Sequence, residues 1–239
     1  MQKGSVKKFI IFDFDDTLTD NSLRDFHSFE ALIDNFDIQK FSRNKIFSLR
    51  RNNYSSNEIC KILCKNNESI LDDLKKSREY FLNDYNSYSK YVKLKPGTKK
   101  ILKKLNLDGH VLFLNSIQSN RKSFIETLKD LELLTYFQDV YTTKMLLNKS
   151  NSDQRIKLKK NMYSRIISDH KILKNNSNTF VVGNLFSDLI PAKFFHLNTL
   201  LIRGSYGFDS EKLYNSKQIL SLGKIKKITS LDQILKIIS

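Results

Sequence analysis

The sequence predicts an α/β fold: a doubly wound parallel sheet of five strands, with an all-helical segment inserted after the first strand. Three observations carry this expectation. Five short apolar runs are continuous instead of alternating, as in strands buried on both faces. Amphipathic helical patterns separate the later runs, the arrangement that parallel crossover connections require. From about Asn21 to Tyr91 the alternation stops, leaving helical periodicity, many charges and no clear strand.

Taken in order, the first strand is Phe9-Ile10-Ile11-Phe12. The insertion follows, its apolar positions (Leu23, Phe26, Phe29, Ile33; Ile59, Ile62, Leu63; Ile70, Leu71, Leu74, Tyr80, Phe81) spaced as on helix faces. Pro96-Gly97 marks the return to the sheet, and Gly109 precedes the second strand, Val111-Leu112-Phe113-Leu114. Helices are predicted over Lys99 to Leu105, Ser123 to Leu134, Met162 to Leu173 and Asp188 to Phe195. The remaining strands are Asp139-Val140-Tyr141, Thr179-Phe180-Val181-Val182 and Thr199-Leu200-Leu201-Ile202. Gly183 ends one of these, and Pro191 is expected in the first turn of the next helix, where its missing N–H costs nothing. Ser230-Leu231-Asp232-Gln233 has capping-box spacing and opens a last helix through Leu235 and Ile238. The resulting division is a catalytic core from 1–19 and 92–239, and a helical cap from 20–91.

Bulk properties narrow the function. With 239 residues, the chain suits one α/β domain plus a modest insertion, and an apolar fraction of 40% with 17 Phe and 10 Tyr suffices for a real core. A formal charge of +16 draws phosphate-rich ligands. The Lys is spread throughout and Arg is sparse, so a nucleic-acid partner is not expected. Lys7 and Lys8 before Phe9 to Phe12 resemble a signal peptide only superficially, because Asp13, Asp15 and Asp16 follow at once. No uncharged run approaches the ~20 residues of a membrane span, so the reading is a soluble, cytoplasmic protein with no membrane partner. Cys60 and Cys64, the two cysteines, fall on one helical face and read as buried apolar side chains.

Ligands of an open parallel sheet bind outside the carboxyl ends of its strands. Asp13, Asp15 and Thr17 follow the first strand, Asn115 and Ser116 the second, and Gly183, Asn184, Ser187 and Asp188 the fourth. Asp13 and Asp15, two apart, share a side of an extended chain. Two adjacent carboxylates would repel a phosphate unless a cation intervened, which calls for a hard, oxygen-binding divalent ion such as Mg²⁺, with Asp188 as a third carboxylate.

These residues resemble the haloacid dehalogenase superfamily of hydrolases. Its first motif, an apolar strand ending Asp-x-Asp-x-Thr, stands here as Phe9 to Leu18, and its second, a strand ending in Ser or Thr, as Val111 to Ser116. Leu94-Lys95-Pro96-Gly97 looks like re-entry from a cap, and Tyr136 to Tyr141 like the family's third strand. Gly183-Asn184-Leu185-Phe186-Ser187-Asp188 looks like the fourth motif, with Asn in place of its first acid. The resemblance implies a Rossmann-like core, a Mg²⁺-dependent phosphohydrolase and a small phosphorylated metabolite as substrate. It implies Asp13 as nucleophile, Asp15 as acid and base, and Thr17, Asn115 and Ser116 at the phosphate. The metal would be held by Asp13, the Asp15 carbonyl, Asp188 and Asn184. A basic residue is also implied; Lys157 matches the spacing best, with Lys159 and Lys160 as near competitors. For Thr19, Asp20, Asn21 and Arg24 at the cap hinge, substrate contact and ordinary helix capping both stand open. Two alternatives remain: a phosphomutase, and a catalytically weak binding or regulatory protein, which Asn184 favours. The sequence does not speak to oligomeric state.

Overall fold

The computed structural model describes residues 6–36, 38, 40–52, 54–65, 67–118, 120–143, 152–172, 177–206, 222 and 225–238. Its centre is a sheet built from β1 (Phe9–Phe12), β4 (Val111–Ile117), β5 (Asp139–Thr143), β6 (Thr179–Gly183), β7 (Asn198–Ile202) and β8 (Lys226–Ile228). All six strands are parallel, in the order β5-β4-β1-β6-β7-β8. The chain runs outward from β1 through β4 to β5, then crosses to β6 and runs outward the other way, so β1 stands at the topological switch point.

The continuous apolarity of the strands has the predicted cause. Ile10, Phe12, Leu112, Leu114 and Val182 pack on one face against α7 (Thr98–Leu107), α8 (Arg121–Asp130) and α11 (Asp232–Ile238). Their neighbours Ile11, Phe113 and Val181 pack on the other face against α9 (Ser152–Asp169) and α10 (Phe186–Phe194). Two buried faces leave no polar alternation to see.

Four details correct the sequence reading. The sheet has six strands and not five: β8 has only three residues, two of them exposed lysines, a charged edge that hides its strand character. The helix expected from Met162 begins ten residues earlier, at Ser152; Leu173, its expected end, lies outside the described residues. Pro191 sits inside α10, because that helix starts at Phe186, so a bond to the Ser187 carbonyl is lost. At α11 the Gln233 side chain reaches back to the Thr229 N–H (3.0 Å), one residue before the expected Ser230.

Between β1 and β4 the chain forms α1 (Ser22–Glu30), α2 (Ile33–Phe36), α3 (Arg43–Arg51), α4 (Ser56–Leu63), α5 (Glu68–Asn83) and α6 (Tyr85–Tyr88). The first five have their own apolar cluster, including Phe29, Leu32, Ile46, Ile59 and Leu74, with Cys60 and Cys64 inside it, whereas Tyr88 of α6 packs in the sheet's cluster and bonds to Ser123 O and Thr127 Oγ1 of α8. A two-residue antiparallel ribbon, β2 (Thr19–Asp20) on β3 (Lys93–Leu94), closes the segment at its base. A buried ionic cluster ties it to the loop after β7. Asp25 accepts from Arg50 Nε and Nη2 (2.7 Å each), from Arg78 Nη2 (2.7 Å) and from Tyr206 OH (2.9 Å), and the Tyr206 ring meets Phe47 edge-on. Among the described residues no helix is long and apolar enough to cross a membrane.

Candidate active site

Sheet register assembles the site. Phe12 pairs with Leu114 on one side and with Val182 on the other. The next residues, Asp13, Asn115 and Gly183, therefore share one edge. Beyond Asp13 the chain turns sharply: Thr17 N and Leu18 N both donate to Phe14 O, and Asp16 adopts a left-handed φ of 57°. That turn folds Thr17 back, so its hydroxyl donates to Asp13 Oδ2 at 3.0 Å. An Asp tolerates this conformation better than most residues. Its carboxylate also secures the turn, accepting from Asn21 N (3.1 Å) and from the Ser205 hydroxyl.

The cation at this edge is Lys159. Its Nζ lies 2.7 Å from Asp13 Oδ1 and 3.0 Å from Asp188 Oδ1, and donates to Asn115 O at 3.0 Å. Lys157, the residue favoured by spacing, is exposed. The reason is helical phase. Lys159 shares the buried stripe of Met162, Tyr163 and Ile166 on α9, while Lys157 lies about 200° away around the axis.

Electrostatics here are those of a buried ion cluster. Burial pushes the Asp13 carboxyl up to about 7, with Lys159 pulling down and Asp188 and Asp15 pushing up. Burial works against the Lys159 ammonium too, but Asp13 and Asp188 outweigh it and raise its pKa above the ordinary lysine value. Asp188 is fixed from behind, its Oδ2 accepting from Leu185 N at 3.1 Å. A glycine at 183 makes room for it: a Cβ there would stand 2.5 Å from Asp188 Cβ and Oδ2.

Asp15 faces a different set of partners. Its Oδ1 accepts from Asn21 Nδ2 and Arg24 Nη2, both at 2.8 Å, and its Oδ2 from Gln118 Nε2 at 2.9 Å. Gln118 also donates to Ser116 Oγ (3.0 Å), joining the second strand's hydroxyl to the acid of the first. Arg24 comes from α1, so the helical segment reaches into the site. Sequence reasoning passed over Gln118, although it lies two residues beyond Ser116 and so on the same side of an extended chain. Asn115 is fully buried, and neither its Oδ1 nor its Nδ2 has a hydrogen-bond partner. Asn184 stands beside Thr17, its Oδ1 at 3.4 Å from the hydroxyl.

The donor set suits a hard cation in kind: two carboxylates, an amide oxygen and nearby backbone carbonyls, with no sulfur or imidazole. No cluster of three or more His, Cys, Asp or Glu side chains forms a metal site among the described residues. Mg²⁺ needs only one or two carboxylates, since waters and phosphate oxygens complete its shell, so Asp13 and Asp188 meet that requirement.

Comparison with known proteins agrees with this architecture. The family model for haloacid dehalogenase-like hydrolases matches residues 10–202. A haloacid dehalogenase-like family hydrolase from Streptococcus pneumoniae is similar over 98% of this chain and 99% of its own, with a TM-score of 0.68 at 13% identity. A haloacid dehalogenase-superfamily hydrolase, subfamily IA, from Geobacter sulfurreducens gives 0.69 at 14% identity, covering 100% and 99%. A protein titled a predicted phosphoglycolate phosphatase from Haemophilus somnus gives 0.67 at 18% identity, covering 98% of each chain. No curated protein matches the sequence.

Proposed function

Since the chain belongs to the haloacid dehalogenase-like hydrolases, we propose that it is a phosphohydrolase that cleaves a small phosphate monoester by way of an aspartyl-phosphate on Asp13. The observation that carries this reading is the pair of differently held acids. Asp13 is gripped by Thr17 and Lys159, and Asp15 is held by Gln118, Asn21 and Arg24. Such an arrangement gives one carboxylate a fixed attacking oxygen and the other a fixed place beside the leaving group.

An Asp13 oxygen attacks phosphorus and the ester P–O bond breaks. Asp15 gives its proton to the departing alcohol, then takes one from the water that hydrolyses the acyl-phosphate and frees Asp13. Lys159 and the Ser116 hydroxyl bind the oxygens of the transferring group, the basic role falling to Lys159 because Lys157 points away. Asn115 lines the same edge and contributes through its backbone carbonyl, which orients Lys159. Asp13, the Asp15 carbonyl, Asp188 and Asn184 would hold Mg²⁺, which when bound supplies charge neutralisation between carboxylates and phosphate. The helical segment, read as a cap over 20–91 on a core of 1–19 and 92–239, would exclude water and select the substrate. The test is turnover of a generic aryl phosphate with Mg²⁺ present and absent. Asp13→Asn is expected to abolish turnover; equal turnover by that variant removes Asp13 from the nucleophile's role.

A further inference from the structure

Residues 202–206 at the end of β7 and 229–231 after β8 border, together with Arg51 at the end of α3 and with Lys95 and Pro96, a cavity of about 610 Å³ that the reaction chemistry above does not use. Its size is that of a small-metabolite site. Arg51, Lys95 and Arg203 line it, with the hydroxyl residues Ser205, Thr229 and Ser230 between them. No carboxylate belongs to its described lining. Three acids on its border are otherwise engaged or set back: Asp16 accepts from Ser205 and Asn21, Asp20 accepts from Ser22 N and pairs with Ser205, and Asp232 lies by Gly97.

Three cations around one space repel one another, and an anion placed among them relieves that repulsion. Lys95 already donates to the carbonyls of Asp16 and Arg203, which fixes its ammonium and leaves it a third N–H. The guanidiniums of Arg51 and Arg203 have no carboxylate partner among the described residues. Planar, always-charged forks beside hydroxyl groups match phosphate oxygens. Neither Asp13, Ser116 nor Lys159 lines the cavity; Gly204 backs onto Asn184 and Asp16 and stands between the two sites.

The geometry points to a second anion site, distinct from Asp13, that takes a small phosphate-bearing molecule between the helical segment (Arg51) and the sheet edge (Lys95, Arg203). Such a ligand would bridge α3 to the sheet edge through Arg51, Lys95 and Arg203.

Inorganic phosphate is the probe, titrated into ¹⁵N-labelled protein and followed by backbone amide shifts. Saturable shifts are expected at Gly204 and Thr229, in addition to any at Phe14 and Asn184. In the double variant Arg51→Gln, Arg203→Gln, the affinity read at Gly204 and Thr229 should fall at least tenfold, while that read at Phe14 and Asn184 stays as in wild type. Arg203→Gln alone, an exposed single change, should give an intermediate loss and guards against misfolding of the double variant. Shifts confined to Phe14 and Asn184, or an unchanged affinity in both variants, would overturn the assignment. So would a KM for aryl phosphate raised fivefold or more in the double variant with kcat intact, because the cavity would then be part of the reaction site.

Discussion

Replacing Lys159 by Met keeps the length of the side chain and removes its charge. Lys159 is 3% exposed and touches two carboxylates at 2.7 and 3.0 Å, themselves 9% and 2% exposed. Removing one member of such a buried set costs about 3–5 kcal/mol. The lower half of that range is expected, because the Asp13 carboxyl already sits near 7 and can take up a proton to relieve the repulsion. Loss of a preorganised donor to the transferring phosphoryl group separately costs about 3–4 kcal/mol, or 10²–10³ in kcat. Lys157→Met is the control: exposed and about 200° away on the helix, it should change stability by less than ~0.5 kcal/mol and kcat by less than about twofold. Urea denaturation in chelator and steady-state turnover of an aryl phosphate separate the two effects, since lost stability lowers the folded fraction without lowering kcat per folded molecule. If Lys159→Met kept kcat within about threefold while Lys157→Met lost 10² or more, helical phase would have misassigned the cation.

Three further outcomes follow from the geometry. Burial would raise the Asp25 carboxyl, but Arg50, Arg78 and Tyr206 outweigh it and hold it well below the usual carboxylate range. Its contribution to stability is therefore present above about pH 4 and lost as pH falls further, so Asp25→Asn should lose about 3–5 kcal/mol at pH 7 and show a flatter acid limb in urea melts. Asp13 has the opposite sign: its folded pKa of about 7 exceeds the unfolded value near ~3.9, so its contribution is full below about pH 4 and vanishes as pH rises through 7. In chelator, wild type should lose stability relative to Asp13→Asn across that window, and parallel curves would refute the raised value. Gly183→Ala puts a methyl 2.5 Å from Asp188 and should cost about 1–3 kcal/mol of stability as the carboxylate is displaced, with turnover falling at least tenfold; a wild-type melt would show that the strand yields instead.

How much of this is legible in the sequence depends on the scale of the signal. Residues that follow buried runs are easy to find, because a parallel sheet gathers its carboxyl ends at one edge: Asp13, Asp15, Ser116 and Asp188 all come from that rule. The edge strand β8 escapes it, since Lys226-Lys227-Ile228 buries a single side chain. Lys159 escapes for a different reason. Its helix opens through Ser152-Asp153-Gln154-Arg155, where no apolar period sets the phase, so three lysines look equivalent until Met162 and Tyr163 fix which way each one faces. Gln118 and Arg24 reach Asp15 from a loop and from a separate helical unit. Local pattern carries no record of such long-range meetings.

The ribbon of Thr19–Asp20 on Lys93–Leu94 means that the whole helical segment leaves the core and returns to it through adjacent points. A detour whose two ends touch adds nothing to the threading of the sheet. Such a segment can be lengthened, shortened or exchanged for another without altering the register of a single core strand. On the proposed reading, a graft made at these four residues would carry a new selecting segment onto the same chemistry, and that segment must again supply what Asn21 and Arg24 give to Asp15.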